Sequence, residues 1–533
     1  MGKIRFILAL PLVVLVFFFS FHGCDTAGNQ KDRLPAGIDV PAGDKMKISI
    51  ALWNIEEALS RTGNDQFYKH LSDKFNITIE PVPITWDDYT QKIRIWASSA
   101  QLPDIFAIDA VGTSYYREWV NRGIIKALPE DLSRYPYLKK YLEKPDIQIL
   151  KEKGKMYCVP RTLYDSLKYC AHDRNVFYRW DLAQKAGITR EPETWDEFEQ
   201  MLEAIIKKDP EGKGICGLTF VNVKHIGGFF WLYSNPAAAS DGSGYDYKWV
   251  KEDGRYIPAV FSKNSLPALE FARGMFEKGL IDKELTMLKG TQGYNKFASG
   301  HAAAILMVSY GNLDTQVRSN WEKAYPGKKL VDCVKRVKYF PATDGQKYQS
   351  VFKTYWSESY FSGKMDVIKM DRIMQLYDYM LSPQAKEFYR FGVKNADYKK
   401  DGDRIIPGIT PGELRERQYS ASLLSSLVEF DNQFQYDDNN FSMDRDIRKA
   451  AVKDLTGAVH TTRIPEYKLE LTYMTTPLKE RFSIYDHEDI MKVMFGKEPV
   501  ERMWAGITGE YRAKGLDKMI GEVNAEAKKK GID

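Results

Sequence analysis

The sequence predicts an α/β protein with largely parallel sheets and more than one hydrophobic core. Strand-like and helix-like segments alternate from residue 47 onward, which is the pattern of a parallel sheet flanked by helices. A chain of 533 residues exceeds the size that one core usually serves, so two or three domains, or two lobes, are expected. The net charge is only +5, and no Lys/Arg-dense face carries interleaved aromatic residues, which argues against a nucleic-acid partner.

The first 23 residues have the pattern of a signal peptide. Lys3 and Arg5 provide a positive start, and an uncharged, mainly apolar run covers residues 6–21. As a helix this run spans at most ~24 Å, which is short for a bilayer core of ~30 Å. We therefore expect residues 1–23 to be cleaved rather than to remain as a membrane span.

Cys24 at the expected cleavage point, preceded by Gly23, resembles the lipid-modified cysteine of bacterial lipoproteins. Such a cysteine carries two acyl chains, which hold a protein stably on a membrane. Phe21-His22 departs from the usual residues of that signal, so a secreted protein with an incidental cysteine stays an alternative. Residues 24–45 are rich in Gly, Pro and charge without apolar periodicity, and are expected to form a flexible tether.

Polar and aromatic residues follow the first predicted strands at the points where these strands end. Trp53 and Asn54 come directly after the first strand. Asp109 and Tyr115 follow the strand at 104–108. Because ligands bind beyond the carboxyl ends of parallel strands, these four side chains are predicted to face a ligand.

The stretch at 154–205 also indicates ligand-binding side chains at the end of a strand. A short apolar strand ends at a proline, and side chains that both stack and hydrogen-bond follow it, Arg161 and Tyr164 among them. Farther on, Thr194 and Glu197 have the spacing of a capping box that starts an amphipathic helix. We expect ligand contact just after the strand and simple packing from the helix.

Motifs spread over the chain carry a resemblance to a known family. GKMYCVPR, RWDLAQKAG and TWDEF occur in that order within 154–205, and FGKEPVERMWAGITGEYRAKGLDKMI lies near the C-terminus. In order and spacing these segments resemble the lipid-anchored extracellular solute-binding proteins of carbohydrate ABC importers (family 1, LplA-like). The resemblance covers nearly all of the chain that follows the signal peptide.

The resemblance implies a two-lobed, periplasmic-binding-protein-like fold of type II. Each lobe would hold a mainly parallel sheet flanked by helices, and the C-terminal part would be rich in helices. The N-terminal lobe would comprise residues 46–164 and 291–352, and the C-terminal lobe residues 165–290 and 353–533.

The same resemblance implies a monomer on the outer face of the cell membrane that captures an oligosaccharide between its lobes. It would present the ligand to the permease subunits of an ABC importer, without chemistry on it. A ligand-sensing subunit for a membrane receptor kinase would have the same cleft, so that alternative stays open. A secreted carbohydrate-active enzyme is disfavoured, because the sequence has no HExxH, GxSxG or Walker pattern and no recognisable acid/base pair.

Aromatic residues make up 13% of the chain, and a flat sugar face gains free energy when it is buried against such a ring. Asn54, Asp109 and Arg161 are the candidate polar partners for hydroxyl groups. No catalytic or metal-binding residue is predicted. The candidate stacking residues are Trp53, Tyr115, Tyr164, Trp231, Tyr310 and Trp356.

The turn at 209–217 resembles, in degraded form, an EF-hand-like calcium loop found in relatives. Asp209 and Glu211 keep two oxygen ligands, but Lys213 stands where an uncharged oxygen donor is expected, and the later carboxylate is missing. No calcium or other cofactor is therefore expected. The glycines of this turn also satisfy GxGxxG, but they follow a helix rather than a strand and do not predict a nucleotide site.

Four further cysteines follow Cys24, and none of them forms a CxxC pair. They allow two disulfides in three connectivities, whereas a chain of this size does not need disulfides for stability. The sequence leaves both states open for Cys158, Cys170, Cys216 and Cys333.

Overall fold

The computed structural model describes nearly all of the chain beyond the predicted tether. The signal peptide, Cys24 and all but the last two tether residues lie outside the described residues. No helix in the described part is long and apolar enough to cross a membrane. The described residues are 44–61, 63–86, 88–171, 173–221, 223–234, 248–349 and 353–532.

Strands and helices alternate through the first two thirds of the chain, and helices dominate the last third. The strands are β1 (Met46–Trp53), β2 (Ile77–Ile84), β3 (Ile105–Ile108), β4 (Cys158–Thr162), β5 (Asn175–Arg179), β6 (Cys216–Phe220), β7 (Trp249–Glu252), β8 (Arg255–Pro258), β9 (Ala302–Met307), β10 (Val334–Arg336), β11 (Tyr355–Phe361), β12 (Tyr398–Asp401) and β13 (Arg404–Pro407). The helices are α1 (Ile55–Leu59), α2 (Gln66–Phe75), α3 (Tyr89–Ser98), α4 (Ser114–Asn121), α5 (Pro136–Leu142), α6 (Pro145–Gln148), α7 (Leu167–Cys170), α8 (Trp180–Lys185), α9 (Trp195–Lys208), α10 (Ile226–Phe230), α11 (Ser265–Glu277), α12 (Gln292–Ala298), α13 (Tyr310–Asn312), α14 (Arg318–Ala324), α15 (Leu330–Cys333), α16 (Val367–Met380), α17 (Pro383–Phe391), α18 (Pro411–Arg417), α19 (Ala421–Ser425), α20 (Arg445–Thr461), α21 (Leu469–Tyr473), α22 (Asp486–Phe495), α23 (Val500–Ala513) and α24 (Leu516–Lys529).

Two larger sheets organise the described residues, one in each lobe. The first sheet has the order β2-β1-β3-β11-β4, and the second has the order β10-β5-β9-β6. The pairs β7-β8 and β12-β13 form separate two-stranded hairpins. The two-lobed α/β prediction is thereby confirmed.

Both sheets are mixed, which corrects the prediction of mainly parallel sheets. In the first sheet β1 runs parallel to β2 and β3, while β11 is antiparallel to β3 and β4. In the second sheet β6 and β9 are parallel, while β5 is antiparallel to β9 and β10. The strands that run antiparallel to both of their neighbours are β5 and β11. Each of them begins just after the chain passes from one sheet to the other. Apolar periodicity records which side of a strand is buried but not the direction in which the strand runs.

Each sheet carries its own hydrophobic core. The first-lobe core collects buried residues of β1, β3, β4 and β11 together with helices α2, α4, α5 and α16. In the second sheet, alternate residues of β9 enter two different cores, with Ala304 and Leu306 on one side and Ile305 and Met307 on the other. This alternation follows from the two-residue period of a strand, and it shows that both faces of the second sheet are covered.

Strand pairing also corrects the predicted lobe boundaries. The segment 291–352 was assigned to the N-terminal lobe, but its strand β9 pairs with β5 and β6 in the second sheet. The segment 353–533 was assigned to the C-terminal lobe, but its strand β11 pairs with β3 and β4 in the first sheet. The return to the first lobe therefore lies between β10 and β11, later in the chain than the prediction.

Local signals in the sequence set several helix boundaries correctly. The Thr194 hydroxyl accepts a hydrogen bond from the Glu197 amide at the start of α9, although the Glu197 carboxylate accepts from the Glu193 amide instead of closing the box on Thr194. Ser382 caps α17 by accepting from the amide of Ala385. The four cysteines in the described residues are free thiols.

Gly217 of β6 supplies the close backbone approach that joins this strand to the loop after α11. A Cβ atom at this position would lie 2.2 Å from the carbonyl oxygen of Leu280, a backbone atom without freedom to rotate away. The Leu218 amide donates to that same carbonyl at 2.7 Å. The last glycine of the GxGxxG string thus serves packing between a strand and a loop.

We predict that Gly217→Ala lowers the free energy of unfolding by about 1–3 kcal/mol, because overpacking against fixed backbone forces the strand to shift. Denaturant unfolding followed by circular dichroism measures the change. Gly228→Ala is the matched control, since Gly228 lies in α10 with no atom within 4 Å of an added Cβ. Equal stability of the Gly217→Ala protein and the wild type would contradict this assignment.

Candidate functional site

Several predicted ligand residues meet at one edge of the first sheet. The parallel strands β1, β2 and β3 end at this edge, and β4 ends there too, because both β3 and β4 are antiparallel to the same strand β11. Strand β11 begins at the same edge, where Tyr355 pairs with Thr162. The edge therefore receives side chains from five strands.

A buried arginine lies at the centre of this edge. Arg161 of β4 is 0% exposed, and its Nε donates to the hydroxyl of Ser357 at 3.0 Å. Its Nη1 donates to the carbonyl oxygen of Ser426 at 3.4 Å. Burial lowers the pKa of Arg161 to about 10, although the carboxylates of Asp109 and Glu358 favour the charged form. The guanidinium remains charged at neutral pH.

Aromatic rings enclose this guanidinium. Its Cζ atom lies 4.5 Å from the ring centre of Trp53, 4.7 Å from that of Phe430 and 5.4 Å from that of Trp356. Desolvated cation–π contacts of this kind contribute about 2 kcal/mol each. The rings are therefore both the walls of the arginine pocket and the partners of its charge.

Trp86 extends this group of rings toward solvent. Its ring stacks on Trp53 with a centroid distance of 4.0 Å and an interplanar angle of 5°. Trp53 is 3% exposed, whereas Trp86 is 53% exposed. The result is an accessible indole supported from beneath by a buried one, and an apolar ligand face packs well on such a surface. We call Trp53, Trp86, Trp356 and Arg161 the tryptophan platform.

Polar groups adjoin the platform at the end of β3. The Tyr115 hydroxyl donates to the carbonyl oxygen of Asp109 at 2.9 Å, and the Tyr89 hydroxyl approaches the Asp109 carboxylate at 3.4 Å. Asn54 is exposed, and it precedes α1 as the N-cap residue in the left-handed conformation with φ 56°. The predicted residues Trp53, Asn54, Asp109, Tyr115, Arg161 and Trp356 thus all belong to this sheet edge.

Glu358 is a buried carboxyl group of the same region. Its carboxylate accepts hydrogen bonds from the amide of Ala110 at 3.1 Å and from the hydroxyl of Tyr360 at 2.8 Å. Burial raises the pKa of Glu358, while those hydrogen bonds and the charge of Lys353 oppose the rise. Arg161 and Glu358 come from neighbouring strands, and the ionised form of Glu358 favours the charged form of Arg161.

Three chain segments pass between the lobes beside the platform, and backbone hydrogen bonds join them to one another. The amide of Thr162 donates to the carbonyl of Val428, and the amide of Phe430 donates back to Thr162. The amides of Leu163 and Tyr164 both donate to the carbonyl of Thr354. These segments connect β4 to β5, β10 to β11, and the α19 region to α20.

A second-lobe segment also packs against the first lobe and against one of these crossing segments. In α21, Leu471 packs in the second-lobe core while Tyr473 packs in the first-lobe core. Lys353 donates to the Tyr473 hydroxyl at 2.9 Å, and Arg117 of α4 pairs with Glu480 at 2.5 Å. The two lobes are therefore in direct contact in this conformation.

Tyr164 lies next to the platform but is fully enclosed. Its hydroxyl donates to the Asp173 carboxylate at 2.8 Å, and its ring lies 6.5 Å from that of Tyr169. Tyr169 in turn stacks on Tyr436 at 5.5 Å, so a row of tyrosines lines the crossing segments. Tyr164 and Arg161, both 0% exposed, support the site from beneath rather than presenting a surface to a ligand.

Two predicted stacking residues lie elsewhere. Trp231 is 1% exposed within the second-lobe core, so packing is its role and the stacking prediction is wrong for this conformation. Tyr310 is 5% exposed, contacts Phe177 edge to face and donates to the Asp454 carboxylate. Tyr310 follows the end of β9 and is fixed by second-lobe partners, apart from the tryptophan platform.

Sequence reasoning missed the most accessible residue of the platform. Trp86, which the sequence analysis does not single out, lies just after the end of β2 and before α3, which begins at Tyr89. The rule that ligand-binding residues follow the ends of parallel strands selected Trp53 at the end of β1. The same rule would have selected Trp86 at the end of β2. Phe430 and Ser357 carried no such signal, because their positions depend on how distant segments pack.

Comparison with known proteins places the chain among binding proteins. A family model described as bacterial extracellular solute-binding protein matches residues 60–331. Lipoprotein LipO of Bacillus subtilis is 26% identical over 352 residues, which are 61% of this chain and 63% of LipO. The fructooligosaccharide ABC transporter substrate-binding protein FusA of Streptococcus pneumoniae is 30% identical over 218 residues, covering 38% of this chain and 40% of FusA. Both alignments span less than two thirds of the relative's own length.

Solved structures share the fold over most of this chain. Alginate-binding protein AlgQ2, in a structure without calcium ion, superposes with a TM-score of 0.68 at 16% identity, covering 90% of this chain and 98% of that one. FusA in complex with kestose gives a TM-score of 0.65 at 17% identity, covering 91% and 99%. At these identities the likeness establishes the two-lobed fold.

Proposed function

Because the chain belongs to the family of bacterial extracellular solute-binding proteins, we propose that it captures an oligosaccharide between its two lobes and delivers it to an ABC importer. The family and the structural neighbours are binding proteins, so the ligand would leave unchanged. The named ligand of one relative is a fructo-oligosaccharide, and this supports a saccharide as the ligand class here.

The half-exposed Trp86 on the buried Trp53 is the observation that carries this proposal. Sugar rings present flat C–H faces, and burying one under an indole gains roughly 25 cal/mol per Å² of apolar area. The Asp109 carboxylate, whose charge acts on Arg161, and the side-chain amide of Asn54, the residue after Trp53, would accept or donate hydrogen bonds to hydroxyl groups. An apolar floor with polar neighbours suits a ligand that is apolar on its faces and polar on its edges.

The crossing segments support a mechanism of closure around the ligand. Three segments run side by side between the lobes, and their backbone hydrogen bonds keep them together. Domains joined in this way close by hinge rotation, in which a few residues between the lobes absorb the change in backbone angles. A ligand on the platform would then be enclosed by the second lobe.

Anchoring and delivery form the outer part of the proposal. One relative is a lipoprotein by name, and Cys24 follows a signal-peptide pattern in this sequence. Two acyl chains at Cys24 would keep the protein at the cell surface, where permease subunits of an importer could receive the ligand. Residues 24–45 would give the lobes freedom to reach the permease.

We expect a saccharide to stabilise the purified mature protein in a thermal-shift screen. A ligand at 100 times its Kd adds about 2.7 kcal/mol to the free energy of unfolding, which raises the Tm measurably. The screen should place neutral fructo-oligosaccharides beside uronic oligosaccharides, amino acids, peptides and metal ions. Stabilisation by amino acids or peptides, with no response to any saccharide, would contradict the proposal.

Trp86→Ala should weaken binding of the saccharide found in that screen by about tenfold, because a stacked sugar face contributes about 1–2 kcal/mol. Titration calorimetry measures the Kd, and the Tm without ligand should change little, since Trp86 is 53% exposed. Tyr137→Ala removes another exposed ring of the first lobe and should leave the Kd unchanged. Unchanged affinity of the Trp86→Ala protein would exclude the platform as the binding surface.

Cys24→Ser should release the protein from the cell surface into the medium, because serine accepts no thioether-linked lipid. Immunoblots of the membrane fraction and of the culture medium, from a host of the native type, measure how the protein is distributed between them. If the variant stays with the membrane fraction, a lipid on Cys24 is not what holds the protein there.

A further inference from the structure

The turn between α9 and β6 holds a lysine ammonium inside a cage of oxygen atoms. Nζ of Lys213 donates to the Glu211 carboxylate at 2.9 Å, to the Ser299 carbonyl at 2.9 Å and to the Tyr325 hydroxyl at 3.0 Å. An ammonium group has three N–H donors and no acceptor, so these three oxygens satisfy all of its donors.

The cage leaves no spare room on one side. Gly300, which follows Ser299, has φ 83°, and a Cβ atom there would lie 2.2 Å from the Tyr325 hydroxyl. The same atom would lie 2.9 Å from the Glu211 carboxylate and 3.2 Å from Nζ of Lys213. A residue without a side chain at this position is therefore required for the cage to form.

Further positive charge surrounds the same carboxylate. Lys185 pairs with Glu211 at 3.2 Å and Arg179 lies 3.7 Å from it, while Arg179 also donates to Tyr325 at 3.1 Å. Burial opposes ionisation of Glu211, but hydrogen bonds from Tyr325 and Lys213 and the charge of Arg179 outweigh it and lower its pKa to about 2. One carboxylate thus faces three cations.

These residues do not fit the calcium ion that the resemblance to an EF-hand-like loop suggests. Calcium takes six to eight oxygen ligands at about 2.3–2.6 Å, and a lysine ammonium repels it. The Asp209 carboxylate, which would be one of the ligands, accepts hydrogen bonds from the amides of Lys213 at 3.1 Å and Gly214 at 2.8 Å. Glu211 is already paired with lysine.

We propose that the Lys213 ammonium is the permanent cation of this loop and takes over the joining role that a bound metal would have. Its three acceptors belong to the turn after α9, the turn after α12 and the end of α14. These turns lead into β6 and β9, which are neighbouring strands of the second sheet, and the Cys216 amide donates to the His301 carbonyl between them at 2.9 Å. The ammonium therefore fixes where two neighbouring strands of the second sheet begin.

The second lobe consequently needs no calcium for its stability. This inference concerns a part of the fold away from the tryptophan platform, so its failure would leave the proposed ligand unaffected. It also predicts that the side-chain charge, and not merely the length of the lysine, is what the loop requires.

The test compares thermal unfolding of the wild type and a Lys213→Met variant in three buffers, with EDTA, without additive and with about 5 mM calcium chloride. That calcium concentration exceeds the dissociation constants of about 10⁻⁴–10⁻³ M that extracellular calcium sites have. The wild type should show the same Tm in all three buffers. Lys213→Met should lower the Tm by about 2 °C or more, since one lost kcal/mol corresponds to about 2–4 °C in a lobe of this size.

Lys208→Met is the matched control, because Lys208 is an exposed lysine at the end of α9. It should leave the Tm within a degree or so of the wild type. A wild-type Tm that rises with calcium or falls with EDTA would overturn the proposal, and so would a Lys213→Met protein as stable as the control. If Lys213→Met fails to fold, the wild-type series with EDTA and calcium still tests whether the second lobe needs calcium.

Discussion

The enclosed guanidinium of Arg161 is the contact on which the candidate site depends. It comes from β4, donates to Ser357 of β11 and to Ser426 of the third crossing segment, and lies against Trp53 of β1. Ser357 reaches it from a bulge in β11, where the backbone takes φ 52°. Because burying a charge is costly without partners, the fold has to bring all these segments together around it. Arg161 thereby fixes the ring of Trp53, on which Trp86 stacks.

The same contact links the candidate binding surface to the segments between the lobes. Thr162, next to Arg161, exchanges hydrogen bonds with Val428 and Phe430, and Phe430 is also one of the rings around the guanidinium. A structural change at the platform would therefore act directly on the crossing segments. The second lobe has a comparable fixed charge in Lys213, which orders its sheet far from the crossings. Each lobe thus carries a hydrogen-bonded cation where several segments meet.

Sequence alone predicts the part of this arrangement that depends on local rules. Trp53 and Asp109 follow strands whose parallel ends meet at one edge, and the structure places them there. The direction of β11 is not encoded in its apolar pattern, so neither the mixed sheet nor the return of Trp356 to the first lobe could be derived. Trp231 lies in an aromatic run at 229–233 that small and polar residues bound on both sides, yet it is core, because burial of a ring depends on packing between distant segments. The resemblance to a family correctly predicted two lobes. The order of segments that it implies gave the wrong lobe boundaries.

The most direct test of this account is the stability of an Arg161→Met variant, followed by unfolding in denaturant and by near-ultraviolet circular dichroism. Methionine fills similar space but leaves the Ser357 hydroxyl and the Ser426 carbonyl without their charged donor. We expect a loss of at least about 2 kcal/mol in the free energy of unfolding and a reduced signal from the stacked indoles of Trp53 and Trp86. Arg94→Met removes a cation from over Tyr115 at an exposed position and should cost less than about 1 kcal/mol. An Arg161→Met protein with the stability and the indole signal of the wild type would contradict the central role of this guanidinium.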